Sequence, residues 1–242
     1  MTSGCSEKQR LWVVTDCYYP DAVPTGEHLS QIAEGMTEEF DVRVICGRPS
    51  RLSRGIQIPG REMRNGVEIF RVWGTQLDKN VFTKRIVNLF TFGFAIFWRS
   101  LRSFRQGDRV LVATAPPNLP FTTAIASLVR GCSYSLLIHD LYPDQLVALG
   151  KLKDNSVSVN VMHFANAWLF KHAARILVGG DDMAELVSAR TYGSGVPIKT
   201  IPYLAKYDSK DELSEIGKPE QSPAEKTLNF DASLQRYLEA LR

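Results

Sequence analysis

At 242 residues, 44% of them hydrophobic and 23% charged, the chain is long enough for one large domain or a medium domain with a tail, and its composition excludes a disordered or fibrous protein. The net charge of +3 is unevenly placed: residues 205–242 hold six basic and eight acidic side chains, which leaves +5 on the first 204. No Lys/Arg cluster is interleaved with stacking aromatics, so the surplus points to phosphate or anionic lipid and not to nucleic acid.

Residues 1–10 have no apolar run and read as a flexible N-terminus without a signal-peptide core, which implies a cytoplasmic protein. Cys5, Cys17, Cys46 and Cys132 stand far apart with no C-x-x-C pair, so they predict reduced thiols and no metal or redox site. From Leu11 onward, short β-branched runs alternate with helical patterns. Strands are predicted over 11–15, 42–46, 67–72, 110–113, 134–138, 176–178 and 198–201, and helices over 26–39, 83–104, 119–130, 157–173 and 181–190. Short strands that are apolar throughout are expected where helices cover both faces of a parallel sheet. The fold class is therefore α/β, Rossmann-like and doubly wound, with a mostly parallel sheet built by residues 11–204. Ligands of such folds gather at the carboxyl ends of the strands.

The first strand runs into TDCYYPDAVPTGEHLSQIAEGM, which sets Thr25-Gly26 at the mouth of a helix. Glycine there permits close backbone approach, and the free N–H groups of the first turn attract phosphate. An ordinary helix start, with Thr25 as the cap and Glu27 and His28 solvated, fits the same residues. The segment is not G-x-G-x-x-G, which argues against a dinucleotide enzyme of the dehydrogenase or epimerase kind. Further on, no acid occurs between Lys79 and Gly107, while Lys84, Arg85, Arg99 and Arg102 flank the run IVNLFTFGFAIFW. That run is shorter than the roughly 17–25 residues of a bilayer span. It predicts an interfacial helix that dips Phe90, Phe94 and Trp98 into lipid with the basic residues at the headgroups, peripheral on the inner face of the cell membrane. Core packing against a neighbouring helix explains the apolar part equally well.

The strand over 110–113 ends in ATAPPNLP, where Thr114 and Asn118 flank two stiff prolines; Asn118 can cap the next helix or face the crevice. The strand over 134–138 ends in HDLYPDQLVALGKL, a sudden crowding of polar groups. There Asp140 could accept or orient the proton of an acceptor hydroxyl, and His139 could do the same near neutral pH. In the structural alternative Asp140 ties down its own loop, and Asp144 sits in the first helical turn after Pro143, where the helix dipole favours it. Residues 205–242 read as a linker followed by a short amphipathic helix over 232–241, which docks back through Leu234, Tyr237, Leu238 and Leu241 or frays.

Taken together, YYPDAVPTGEHLSQIAEGM, GVEIFRVWGT, ATAPPNLP, HDLYPDQLVALGKL and ARILVGGDDMAELV resemble glycosyltransferase family 4, especially bacterial enzymes that build surface polysaccharides on polyprenyl-linked sugars. The resemblance implies one half of a GT-B fold, in which two Rossmann-like domains face each other across a cleft and a sugar passes from a nucleotide donor with retention of configuration. It implies that Gly26 approaches the donor phosphate, that Asp140 lies near the reacting hydroxyl, and that Gly179 and Gly180 line the cleft floor. No metal or other cofactor is implied; the nucleotide-sugar is a co-substrate, and the acceptor is polyprenyl-linked or a saccharide. In the family a donor-binding domain with an Arg, a Lys and two glutamates with seven residues between them follows the last strand. Glu212 and Glu220 have that spacing, but DELSEIGKPE lacks the motif's character, and Ile201-Pro202-Tyr203 stands where relatives read Ile-Pro-Asn. The expectation is an acceptor-side half that is inactive without a donor-binding partner domain; a binding or scaffold protein that retains the fold is the alternative.

Overall fold

The structure is a computed structural model and describes residues 8–21, 23–49, 58–75, 77, 81–191, 193–202 and 223–242. Eight strands form one sheet: β1 (Arg10–Val14), β2 (Asp41–Gly47), β3 (Arg61–Arg64), β4 (Val67–Val72), β5 (Arg109–Ala113), β6 (Ser133–Ile138), β7 (Arg175–Val178) and β8 (Ile198–Thr200). Their order is β3-β4-β2-β1-β5-β6-β7-β8, and every neighbouring pair is parallel except β3 with β4. Successive strands step outward from β1 to β2 and β4, then return and step the other way from β5 to β8. The order therefore reverses between β1 and β5, which is where a doubly wound sheet opens a crevice.

The predicted strands all form, within a residue or two at their ends. Strand β3 was not expected. It is an edge strand whose residues alternate between exposed and half-buried, so it lacks the apolar run of its neighbours. Its turn, Asn65-Gly66, has positive φ at both residues, 46° and 82°, which is the pairing that a tight hairpin requires.

Helices cover both faces. Over one lie α2 (Phe82–Ser103), α3 (Leu119–Arg130), α5 (Val157–His172) and α6 (Asp181–Arg190); over the other lie α1 (Pro24–Gly35), which ends in a 3-10 turn, and α7 (Pro223–Leu241). Alternation along β1 divides the core: Trp12 and Val14 face the α2 side, Leu11 and Val13 the α1 side. A short α4 (Asp144–Ala148) follows β6. Local chemistry explains several ends. Pro24 opens α1 at a position with no intrahelical N–H partner. Ser156 caps α5 by accepting from the Val159 N–H, and Gly131 closes α3 at φ 66°. Helix α7 begins nine residues before the predicted amphipathic segment and is docked: Tyr237, Leu238, Ala240 and Leu241 are buried on the sheet. The expected flexible N-terminus and the expected linker lie largely outside the described residues, as do Cys5, Tyr203, Glu212 and Glu220.

Candidate functional site

A cleft of about 650 Å3 opens at the carboxyl end of the sheet, around the point where the strand order reverses. Asp16 and Cys17 reach it from the exit of β1, Arg48 from β2, Thr75 from β4, Pro116 and Pro117 from β5, and Tyr142 from β6. Arg85, Asn88 and Phe92 of α2 form the remaining wall. Two glycines let these parts approach. A Cβ on Gly47 would stand 2.8 Å from the Asp16 carbonyl oxygen, and one on Gly74 would stand 3.3 Å from Phe92. Asn88 is held by Thr75, whose Oγ1 donates to Asn88 Oδ1 at 2.8 Å. Among these lining residues none had been singled out as a polar ligand of the cleft. Their common signal is position, since most are among the first residues after a strand.

Beside the cleft lies a smaller slot of about 140 Å3 between α3 and α5, and Asp140 lines it; the two cavities share Pro117 and Tyr142. The loop that carries Asp140 is fixed from behind. The His139 N–H donates to Thr114 Oγ1, and that hydroxyl donates to the Asp140 carbonyl, both at 3.2 Å. One carboxylate oxygen of Asp140 accepts from Gln145 Nε2 at 2.8 Å. Thr114 is thus a clamp between the ends of β5 and β6, and Asp140 is held in a defined orientation in the slot, two residues before Tyr142, which lines both cavities. Burial lowers the His139 imidazole to about 4, with the Asp140 charge opposing the shift. At pH 7 His139 is neutral and too weak a base to be the favoured proton acceptor.

The α1 entrance differs from its expected form. Thr25 does not cap the helix: Val23 occupies the cap position and no side chain accepts there. Gly26 is buried, and a Cβ on it would stand 3.2 Å from Val23 Cγ2 and 3.3 Å from the Asp21 carbonyl, so its lack of a side chain serves the packing of its own loop. Glu27 points outward. His28 is not solvated but only 3% exposed, and its Nε2 lies 3.3 Å from the Tyr237 hydroxyl of α7. Burial, with a smaller contribution from nearby His139, lowers His28 to about 4, and α1 and the β6 exit thus stand at the same end of the sheet.

Other side chains are engaged elsewhere. Asn118 makes no cap and lines neither cavity; its amide donates to the Leu89 carbonyl at 2.6 Å and ties α3 to α2. Asp144 stands in the first turn of α4, as its place after Pro143 suggested, and pairs with Arg190 of α6 at 2.6 Å. Gly179 and Gly180 form the half-buried turn between β7 and α6, and Gly180 is in extended conformation. Arg99 departs from the membrane-facing set. Its guanidinium stacks over Phe70 of β4 at 4.0 Å, so it points at the sheet. Lys84, Arg85, Phe90, Phe94 and Arg102 are exposed, Trp98 is exposed at one edge, and Arg102 stacks on Trp98 at 5.0 Å. No described helix is long and apolar enough to cross a membrane.

Residues 25–203 match the family described as glycosyl transferase 4-like domain. The chain belongs to that family. It is 33% identical over 86 residues to the probable glycosyltransferase WbjE of Pseudomonas aeruginosa, an alignment covering 36% of this chain and 22% of that protein. Among solved structures it is similar to sucrose-phosphate synthase of Thermosynechococcus elongatus, with a TM-score of 0.52 at 11% identity over 80% of this chain and 48% of that one. It is similar too to TcCGT1 in complex with UDP, with a TM-score of 0.52 at 10% identity over 88% and 54% of the two chains. The glycosyltransferase 4-like chain thus spans about half the length of these structures, and it has the Rossmann-like architecture of GT-B glycosyltransferases.

Proposed function

We propose that this chain is the acceptor-side wall of a glycosyltransferase that moves a sugar from a nucleotide-sugar donor to a lipid-linked or saccharide acceptor, as in the synthesis of surface polysaccharides. The observation that carries this reading is the placement of Asp140. It stands at the carboxyl end of β6, oriented by Gln145, beside a polar cleft at the switch point between β1 and β5. In this reading the donor is held by a second unit, in a longer polypeptide or in a partner chain, and is presented across the cleft. The acceptor hydroxyl oxygen bonds to the anomeric carbon as the bond from that carbon to the phosphate oxygen breaks. The nucleoside diphosphate leaves with the electron pair, and the hydroxyl proton passes to the Asp140 carboxylate. The nucleotide-sugar enters as co-substrate, and no metal or further cofactor has a part in this step.

The exposed stripe of α2 belongs to the same reading. Val87, Phe90, Phe94 and Trp98 recur at three- and four-residue intervals on the outward face, with Lys84 and Arg85 at one end and Arg102 at the other. Aromatics at the lipid boundary and cations at anionic headgroups would hold the cleft against the cytoplasmic face of a membrane.

Transfer of radiolabelled sugar from a nucleotide-sugar to membrane extract or to saccharide tests the proposal. The 242-residue chain alone is expected to show no transfer, and the chain joined by a donor-binding unit is expected to show it. In that assembly Asp140→Asn should lower kcat by at least 100-fold, of the order expected for loss of a positioned base, with the melting temperature unchanged. Efficient transfer by the isolated chain would overturn the two-unit reading, and full activity of Asp140→Asn would remove Asp140 from the mechanism.

A further inference from the structure

The slot between α3 and α5 is a cavity of unusual make-up for its position. Its walls are Pro117, Pro120 and Phe121 on one side and Val161, Met162 and Ala165 on the other, almost entirely carbon. Leu141, Leu169 and Phe170 form its buried floor, and Asp140, Thr114 and Tyr142, the groups at the carboxyl end of the sheet, complete the lining. Asn166 donates to the Tyr142 carbonyl there, which closes the backbone's own hydrogen bonding. Protein interiors seldom leave carbon-lined space larger than a water molecule, and about 140 Å3 is well under the roughly 300–1,000 Å3 of a site for a whole small molecule. A slot of this size fits a short stretch of a longer apolar chain.

Its outer end points the same way. Val161 lines the slot and is 61% exposed, and on the same face of α5 Val157 and Phe164 are both 79% exposed. Together with Ile125, Leu128 and Val129 of α3 and the α2 stripe, three adjacent helices on one face of the sheet carry most of the exposed large apolar side chains among the described residues. Tyr142 lines both the slot and the polar cleft, and Arg85 stands in that cleft close enough that its charge acts on the Tyr142 hydroxyl. An apolar surface, an apolar slot, a carboxylate and a cation in the polar cleft thus adjoin one another through Val161 and Tyr142.

We infer that the α3–α5 slot binds the hydrocarbon nearest the headgroup of a lipid-linked, phosphate-containing acceptor, with Arg85 beside its phosphate. This rests on the acceptor-side reading above and narrows it to the lipid-linked class. The surface applied to lipid is then the outer face of α2, α3 and α5 together, and the slot leads an acceptor's chain from that face to the Asp140 loop.

Photolabelling of the full chain in detergent micelles by farnesyl phosphate carrying a diazirine in its first isoprene units tests this without any sugar transfer. Labelled peptides should fall within 117–121 and 161–170. Ala165→Trp, which fills the slot, and Val161→Lys, at its exposed mouth, should each cut that labelling at least fivefold, while Phe90→Glu on α2 changes it less than twofold. Farnesyl phosphate should compete at least fivefold better than farnesol, and Arg85→Ala should abolish that preference. Labelling spread evenly over the exposed aromatics, or undiminished in both slot variants, overturns the inference, and equal competition by farnesol overturns the phosphate contact. Slot labelling in a protein that transfers no sugar in any assembly would leave the slot standing and defeat the transferase reading. Transfer to soluble saccharide with no slot labelling would do the reverse.

Discussion

His28 and His139 are held neutral at the carboxyl end of the sheet, each lowered by burial to about 4 from an ordinary 6.5. Between those values an unfolded chain takes up protons that the folded chain refuses, so stability is complete near pH 7, falls as the pH drops through 6.5, and reaches its full loss below about 4. For the almost fully buried His28 the loss is on the order of 3 kcal/mol. Melting temperatures between pH 7.5 and 4.5 should therefore fall more steeply for the wild-type chain than for His28→Asn, and parallel curves would show that His28 is not the group responsible. The make-up of the candidate site was only partly visible in the sequence. Asp140 stands out there because a polar cluster interrupts an apolar strand exit. Asn before a helix usually caps it, and Asn118 does stand at the cap position of α3, but its side chain makes no cap hydrogen bond and its amide reaches the Leu89 carbonyl 29 residues away. Arg99 shares its end of α2 with the exposed Arg102 in sequence, but at its place in the helical turn it stacks on Phe70.

Helix α2 shows how an element can be both core and surface. Its buried side is anchored by Ile96 and Ser100 and by the contact of Gly93 with Asn118, while Phe90 and Phe94 are 74% and 65% exposed on the opposite side. The packing reading of its apolar run describes the buried face, and the exposed face carries the apolar stripe on which the proposed membrane contact rests. Changing Phe90 and Phe94 together to Glu should reduce co-sedimentation with anionic phospholipid vesicles at least tenfold and leave the melting temperature within a few degrees, since neither side chain supports the core. Vesicle binding equal to that of the wild-type chain would show that α2 is not the contact. The central strands were legible because they are largely apolar runs with both faces covered. Strand β3 and the five-residue α4 were not, since one has an exposed edge and the other is a single turn and a little more.

Across the whole molecule, α7 joins sequence ends that local pattern cannot relate. Tyr237 is fully buried against the α1 side of the sheet and reaches His28, 209 residues away. Tyr237→Ala should lower unfolding stability by about 3–5 kcal/mol, as loss of a large buried aromatic does, and urea titration followed by far-ultraviolet circular dichroism would measure it; a loss under 1 kcal/mol would mark α7 as a loosely attached appendage. The amino-acid sequence by itself determined the alternation of strands and helices, the parallel α/β class and the carboxyl-end location of the polar loops, because each depends on the period of apolar residues within a short window. Only the tertiary structure decided which polar groups line the cleft and which are tied into the scaffold, and that an apolar slot adjoins Asp140. Those features arise where strand exits and helices distant in sequence meet, and their geometry depends on packing that no local window contains.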